Sequence, residues 1–275
     1  MKIFLKNNNK WLYFILTCFI SWPVWLAGKI ILPENLTIIT LILGAFGPFI
    51  ASLILLSITG ERSGLKEWFK INFNFRIKII WYMLGGIILP FLIAGVHHLI
   101  YLWLGGKSGI EFSTDWLIYF VYLIPTALLT GGNEEPGWRG YITPVLLERF
   151  HPVVVCTFVG LGWAVWHLPM YFLGGWGGSD QPFFWLLIYC IPLSMILTWL
   201  YYKSKRSIIP VMLLHAGTNV VFRYFPMETK LFDYMADEFT VIKTIVYWLF
   251  AILLLIISKG SLGFKKPVSE NERSL

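Results

Sequence analysis

The chain has few charged residues and few cysteines for its length. Charged side chains make up 13% of the 275 residues and hydrophobic ones 57%, a composition that excludes an ordinary soluble domain. The three cysteines, Cys18, Cys156 and Cys190, form no CxxC pair, so neither a disulfide framework nor a cysteine-ligated metal site is indicated. An HExxH run is also missing, which removes the commonest zinc peptidase signature.

Long apolar runs dominate what remains. A spanning helix needs about 20 mostly apolar residues, and we expect about eight of them in an all-α, polytopic integral membrane protein that forms a single domain over residues 1–275. The predicted spans are Trp11 to Ile31, Leu36 to Thr59, Ile79 to Leu104, Trp116 to Asn133, Pro152 to Leu173, Phe183 to Tyr202, Ile208 to Phe222 and Phe239 to Ser258.

Lysine and arginine are divided unevenly between alternate loops. With the N-terminus inside, the cytoplasmic loops and tails hold most of them, whereas the opposite side holds only Lys29, Lys107, Arg223 and Lys230 together with most of the acids. Short cytoplasmic loops normally carry the positive excess, so we expect both termini to lie in the cytoplasm. The net charge of +7 then reflects topology and attraction to anionic membrane lipid, and gives no support to nucleic-acid binding.

A small set of polar side chains falls within the predicted spans. Intramembrane ionisable residues cost about 2.5–3.5 kcal/mol to insert and normally face the bundle interior or an aqueous cavity, so the sequence predicts one shared cavity. Lys243, in the last span, is instead expected to extend toward the outer surface. The residues predicted to share the cavity are Glu134, Glu135, Arg139, His167, His215 and Asn219.

Spacing assigns these residues to helix faces. Three pairs are four residues apart and therefore share a face: Glu135 with Arg139, Trp163 with His167, and His215 with Asn219. Glu134 lies one residue off the face of the first pair, which leaves it able to point into the cavity.

Local breaks and depth complicate this arrangement. Pro136 predicts a kink beside the glutamates, with Asn133 as a possible cap of the following turn. Counting about 1.5 Å per residue along the spans puts Glu134 near the inner face, His215 about 10 Å in and His167 about 20 Å in. Because these three depths differ, the predicted positions along the spans do not by themselves place the residues in one site.

The chemistry available to this set is amide hydrolysis with water as the nucleophile. No intramembrane Ser or Cys has a base at recognisable spacing. Glu134 could take a proton from water, and His167 could orient the water and later protonate the leaving amine. His215 and Asn219 could donate hydrogen bonds to the developing oxyanion.

The same residues resemble the motifs of the CAAX protease and bacteriocin-processing (CPBP) family. The run from Glu134 to Arg139 is similar to the EExxxR motif of that family, Trp163 to His167 to its FxxxH motif with Trp in place of Phe, and His215 to Asn219 to its HxxxN motif. The three motifs occur in the family's order, and the likeness covers roughly residues 116–221, the expected catalytic core.

The resemblance implies an intramembrane endopeptidase whose cavity is reached from the cytoplasm. It assigns Glu134 and His167 to water activation, His215 and Asn219 to the oxyanion, and Glu135 and Arg139 to support. Trp163 is expected to change packing rather than chemistry, since neither Phe nor Trp ionises. We expect a glutamate mechanism that needs no cofactor; the alternative is one zinc ion held by Glu134, His167 and His215.

Two other classes of function stay open. A proton-coupled transporter could use membrane glutamates and histidines as a relay, although no inverted repeat is evident. A noncatalytic membrane scaffold or bacteriocin-immunity protein is the other, although all the motif residues are present. The expected partners are lipid and a membrane-associated peptide or protein; the cleavage motif and the oligomeric state cannot be read from the sequence.

Overall fold

A computed structural model describes residues 2–33, 36–59, 62–108, 116–172, 182–228, 230–231 and 237–266. Within these ranges every regular element is a helix and no strand occurs. The all-α prediction is therefore confirmed for the described part of the chain.

Among the described residues, five helical stretches are long and apolar enough to cross a membrane: Asn8–Ile31, Thr37–Thr59, Ile79–Trp103, Phe183–Lys203 and Glu238–Ile257. Hydrocarbon offers no partner for a free N–H or C=O group, so an apolar run satisfies its backbone by forming a helix. These stretches match five of the eight predicted spans, namely the first, second, third, sixth and eighth.

The long helices are not uniform inside. The first helix is Lys2–Ile31 and contains Pro23. The second stretch consists of Thr37–Ala45 and Gly47–Thr59, joined at Phe46. The third contains one π-helical turn, and its parts are Ile79–Met83, Leu84–Ile88 and Leu89–Trp103.

The other three predicted spans, the fourth, fifth and seventh, contain shorter helices. Their helices are Trp116–Leu129, Pro152–Trp166 and Ile209–Val220. We call Pro152–Trp166 the second-motif helix and Ile209–Val220 the third-motif helix. The second-motif helix stops at His167, two residues before Pro169, and a short helix, Leu168–Phe172, follows. The third-motif helix passes into a 3₁₀ turn, Val221–Tyr224.

The EExxxR residues lie on a helical run of their own. Residues 132–147, the first-motif segment, wind through short pieces: Gly132–Glu134 (3₁₀), Glu135–Gly137 (α), Trp138–Ile142 (π) and Thr143–Leu147 (α). The break falls at Gly131, whose φ is +154°, and Pro136 sits in the first turn of the resumed helix, where its missing N–H costs little. Asn133 does not cap that turn; its side-chain oxygen accepts the N–H of Gly131 at 2.8 Å.

The course of the first-motif segment brings Glu134 to about the same membrane depth as His167, although the predicted spans had placed the two at different depths. Glu134 is 13 residues before Leu147, and His167 is 15 residues after Pro152, with only a short connection between those two ends. At about 1.5 Å per residue both side chains lie roughly 20 Å from the connection. The fourth span was predicted to end at Asn133, and that boundary had placed Glu134 too near one face.

Apolar surface on the preceding helix shows which side faces lipid. On Trp116–Leu129, Leu117 and Val121 are 75% and 65% exposed, whereas Tyr119 and Leu123 are almost fully buried. A soluble protein does not present such a continuous apolar stripe to water. This face of the helix is therefore a lipid-facing surface.

A buried asparagine fixes the start of the third-motif helix. Asn72 ends the helix Arg62–Asn72 and is fully buried. Its backbone carbonyl accepts the N–H of Ile208 at 2.7 Å, and its side-chain oxygen accepts the hydroxyl of Tyr201 at 2.8 Å. Four residues earlier, Trp68 donates its indole N–H to the carbonyl of Gly140 at 2.8 Å. The helix Arg62–Asn72 thus holds the first-motif segment and the third-motif helix at the same depth through these hydrogen bonds.

Candidate active site

Four of the six predicted site residues line one cavity of about 590 Å³: Glu134, His167, His215 and Asn219. Each comes from one of the three motif elements. Glu135 and Arg139 are fully buried and lie behind the cavity wall. The two adjacent glutamates therefore have different environments.

Glu134 is held by an indole. The Oε2 atom of Glu134 accepts a hydrogen bond from Nε1 of Trp163 at 2.7 Å. Trp163 lies on the second-motif helix, so this bond joins the first and second motifs directly. The expectation that Trp in place of Phe changes only packing is therefore wrong, because phenylalanine has no N–H to donate.

Glu135 accepts hydrogen bonds from two other elements of the site. Its Oε1 atom accepts Nη1–H of Arg139 at 3.0 Å and lies 2.8 Å from Nδ1 of His215. The contact with Arg139 stays within the first-motif segment, whereas the contact with His215 crosses to the third-motif helix. Glu135 thus fixes the orientation of an imidazole that faces the cavity.

The backbone determines the tautomer of His167. Its Nδ1 atom is 2.9 Å from the carbonyl oxygen of Trp163. A carbonyl can only accept, so Nδ1 carries the proton and, in a neutral ring, Nε2 keeps a free lone pair. His167 sits at the end of its helix, where the turn ahead of Pro169 permits this bond.

His215 and Asn219 converge beside Gly131. A side-chain carbon at Gly131 would lie 2.9 Å from Nδ2 of Asn219 and 3.4 Å from Nε2 of His215. The two nitrogen atoms therefore approach the same small volume. With a φ of +154° and no room for a methyl group, this position requires glycine.

Aromatic rings enclose the polar atoms. The guanidinium of Arg139 lies 4.6 Å from the ring centre of Trp163, and the ring of His215 meets Trp163 edge-on at 5.0 Å. The ring of His167 packs edge-on against Trp166 at 4.6 Å. These contacts exclude bulk water from the charged groups, which strengthens their mutual attraction.

Zinc is the alternative to the glutamate mechanism, with Glu134, His167 and His215 as its expected ligands. Among the described residues, no group of three or more His, Cys, Asp or Glu side chains is arranged so that it could hold a metal ion. We therefore derive no catalytic step through a metal.

Comparison with known proteins agrees with the motif pattern. Residues 114–221, which contain all six predicted site residues, match the family described as type II CAAX prenyl endopeptidase Rce1-like. A relative from Methanococcus maripaludis named CAAX prenyl protease 2 is 26% identical over 243 residues, covering 78% of this chain and 84% of that protein. The chain is thus similar to CAAX proteases, and its several long apolar helices are those of a multi-pass membrane protein.

Sequence reasoning missed two features of this site. The hydrogen bond from Trp163 was not predicted, although an indole N–H four residues before His167 is visible in the sequence. The requirement for glycine at position 131 was not predicted either. Its contact with His215 and Asn219 depends on how two separate elements meet, which no local pattern encodes.

The buried ion pair predicts a large difference in stability between two charge-removing variants. In Arg139→Met, the Glu135 carboxylate stays fully buried without its guanidinium, so we expect a loss of about 3–5 kcal/mol in unfolding free energy. The matched control, Lys70→Met, breaks the exposed Lys70–Glu67 pair at 3.6 Å and should cost less than about 1 kcal/mol. Chemical unfolding in detergent micelles measures both.

Neutralising the remaining carboxylate tests the same interaction. The double variant Arg139→Met with Glu135→Gln should recover part of the loss, because it no longer buries an unpaired charge. Equal losses in Arg139→Met and Lys70→Met, or a double variant less stable than Arg139→Met alone, would contradict the buried pair as the source of stability.

Proposed function

We propose that the protein is an intramembrane endopeptidase that hydrolyses a peptide bond of a membrane-associated or prenylated-type substrate. The observation that carries this proposal is the convergence of Glu134, His167, His215 and Asn219 on one enclosed cavity. Similarity to a protease family supports it. No observation specifically favours a proton-coupled transporter or a noncatalytic scaffold.

Water activation is assigned to Glu134 and His167. Oε2 of Glu134 is occupied by Trp163, so Oε1 is the atom that takes a proton from water. The free Nε2 lone pair of neutral His167 accepts the second O–H of that water and orients its oxygen. The oxygen then attacks the scissile carbonyl carbon, and the proton held by Glu134 passes to the leaving amine, directly or through Nε2 of His167, as the C–N bond breaks.

Oxyanion stabilisation is assigned to Asn219 and His215, and it requires a particular form of the imidazole. Nδ1 of His215 lies against Glu135, so Nε2 can donate only when both ring nitrogens carry protons. The two carboxylates Glu134 and Glu135 then balance the charges of Arg139 and the imidazolium. This charge balance makes the imidazolium form compatible with burial, and Nδ2 of Asn219 supplies the second donor.

Removing the base or its histidine partner should abolish cleavage. We expect Glu134→Gln and His167→Ala to lower the rate by about 100-fold or more, as measured by mass spectrometry of candidate membrane peptides incubated with purified protein. The control Val165→Ala changes an exposed side chain of the second-motif helix and should leave the rate unchanged. Equal cleavage by all forms, or none by any, would defeat the assignment, and loss of activity with a strong chelator would favour the zinc alternative.

Replacing Trp163 with phenylalanine tests the bond to Glu134. Trp163→Phe keeps an aromatic ring but loses the donor, and a hydrogen bond to a charged group contributes about 1.5–3 kcal/mol. We therefore expect kcat to fall by about tenfold or more with little change in KM. The control Trp199→Phe lies on Phe183–Lys203, outside the cavity lining. An unchanged kcat in Trp163→Phe would show that the indole does not position Glu134.

We further propose that both termini face the cytoplasm. The basic ends of several helices lie on the same side of the protein, as two contacts between them show. Nζ of Lys10 lies 5.7 Å from the ring of Phe150, and the rings of Tyr202 and Phe264 meet at 5.3 Å. The cavity extends toward the opposite, acidic end, where Trp185 and Phe239 line it. By the positive-inside rule, the cavity then opens away from the cytoplasm, in contrast to the cytoplasmic access that the family resemblance implies.

Cysteine labelling in intact cells tests this orientation. Lys107→Cys and Lys265→Cys place exposed thiols at the acidic and basic ends, respectively. A membrane-impermeant maleimide should label the first in intact cells and the second only after permeabilisation, with the parent protein as the control for Cys18. The reverse pattern would place the cavity mouth in the cytoplasm.

A further inference from the structure

Lys243 lines the same cavity as the four predicted site residues. It lies in the second turn of Glu238–Ile257, well inside an apolar helix, where an ionisable side chain usually marks a functional site. Its side chain lies along the cavity wall, together with Tyr189 and Phe239.

Two aromatic rings hold the ammonium group in place. The Nζ atom of Lys243 lies 4.2 Å from the ring centre of Tyr189 and 5.2 Å from that of Phe239. Such contacts attract a cation and fix its position, but they do not neutralise its charge. Among the described residues, no carboxylate lies within ion-pair distance of this Nζ atom.

The carboxylates that line or border the cavity have other hydrogen-bond partners. Glu135 is committed to Arg139 and His215, and Glu134 to Trp163. Asp237 also lines the cavity and attracts Lys243 electrostatically, but it lies outside ion-pair distance, and its Oδ1 atom caps the last helix by accepting the N–H of Thr240 at 2.7 Å. The cavity therefore presents an ammonium group to which no carboxylate of the described residues is directly bonded.

We propose that Lys243 is a substrate-binding subsite for a carboxylate, supplied either by the peptide's free C-terminus or by an acidic side chain. This rests on the proposed peptidase function and adds a chemical class of substrate to it. A peptide lying along the cavity would place its carboxylate at Lys243 and its scissile bond beside Glu134. A volume of about 590 Å³ falls within the range of pockets that enclose small ligands.

Binding without turnover tests this subsite separately from catalysis. In a Glu134→Gln background, fluorescence anisotropy would compare three dye-labelled octapeptides of leucine, alanine and phenylalanine: a C-terminal acid, the matching C-terminal amide, and an amide with one alanine replaced by glutamate. We expect the acid, the glutamate peptide or both to bind at least about tenfold more tightly than the plain amide, because a hydrogen-bonded charge pair is lost in the amide.

The variants then assign the preference to Lys243. Lys243→Met should bind all three peptides with the affinity of the plain amide, and Lys243→Arg should retain part of the preference because it keeps the charge. The control Lys259→Met removes an exposed charge just beyond the same helix and should behave as the parent. Preference for the acid identifies a C-terminus, and preference for the glutamate peptide identifies a side chain.

Two results would overturn the subsite. One is equal binding of the three peptides by the parent, including no measurable binding of any. The other is an unchanged preference in Lys243→Met whose unfolding transition matches that of the parent. Neither result bears on peptide cleavage by the wild-type protein, so failure of this subsite and failure of the proposed peptidase function are distinguishable.

Discussion

The pairing of the buried Glu135 carboxylate with Arg139 and His215 is the interaction on which the rest of the site depends. The carboxylate is fully buried and accepts hydrogen bonds from Arg139 and His215 at one oxygen atom. An unpaired carboxylate at this depth would be strongly destabilising, whereas a paired one ties the first-motif segment to the third-motif helix. The energetic need to pair this charge therefore specifies how two elements meet.

The arrangement separates charge support from the cavity. Because Glu135 and Arg139 form the buried pair, Glu134 faces the cavity, where the indole N–H of Trp163 is its hydrogen-bond donor. The same pairing fixes His215 through Nδ1 and leaves Nε2 beside Asn219 and Gly131. Glu135, which does not line the cavity, thus orients His215, which does.

Much of the fold follows from patterns that are local in sequence. The five long helices are continuous apolar runs, which hydrocarbon forces into helices, and their positions agree with the predicted spans. The helices Trp116–Leu129, Pro152–Trp166 and Ile209–Val220 are shorter than the predicted spans because their ends are set by Gly131, His167 and the turn after Val220 rather than by loss of apolar character. The buried course of residues 132–147 was not predicted, since a segment rich in Pro, Gly and charge is usually a connection at the membrane surface.

The sequence alone determined the all-helical membrane class and the likeness to a protease family. It also provided the set Glu134, Glu135, Arg139, His167, His215 and Asn219, because intramembrane polar residues stand out against an apolar background and their four-residue spacing defines faces. Only the tertiary structure decided their partners. Which oxygen of Glu134 is occupied, that Trp163 donates to it, that His215 pairs with Glu135, and that Lys243 shares the cavity all depend on helix depth and rotation. Those quantities come from packing between segments far apart in the chain, which no local pattern records.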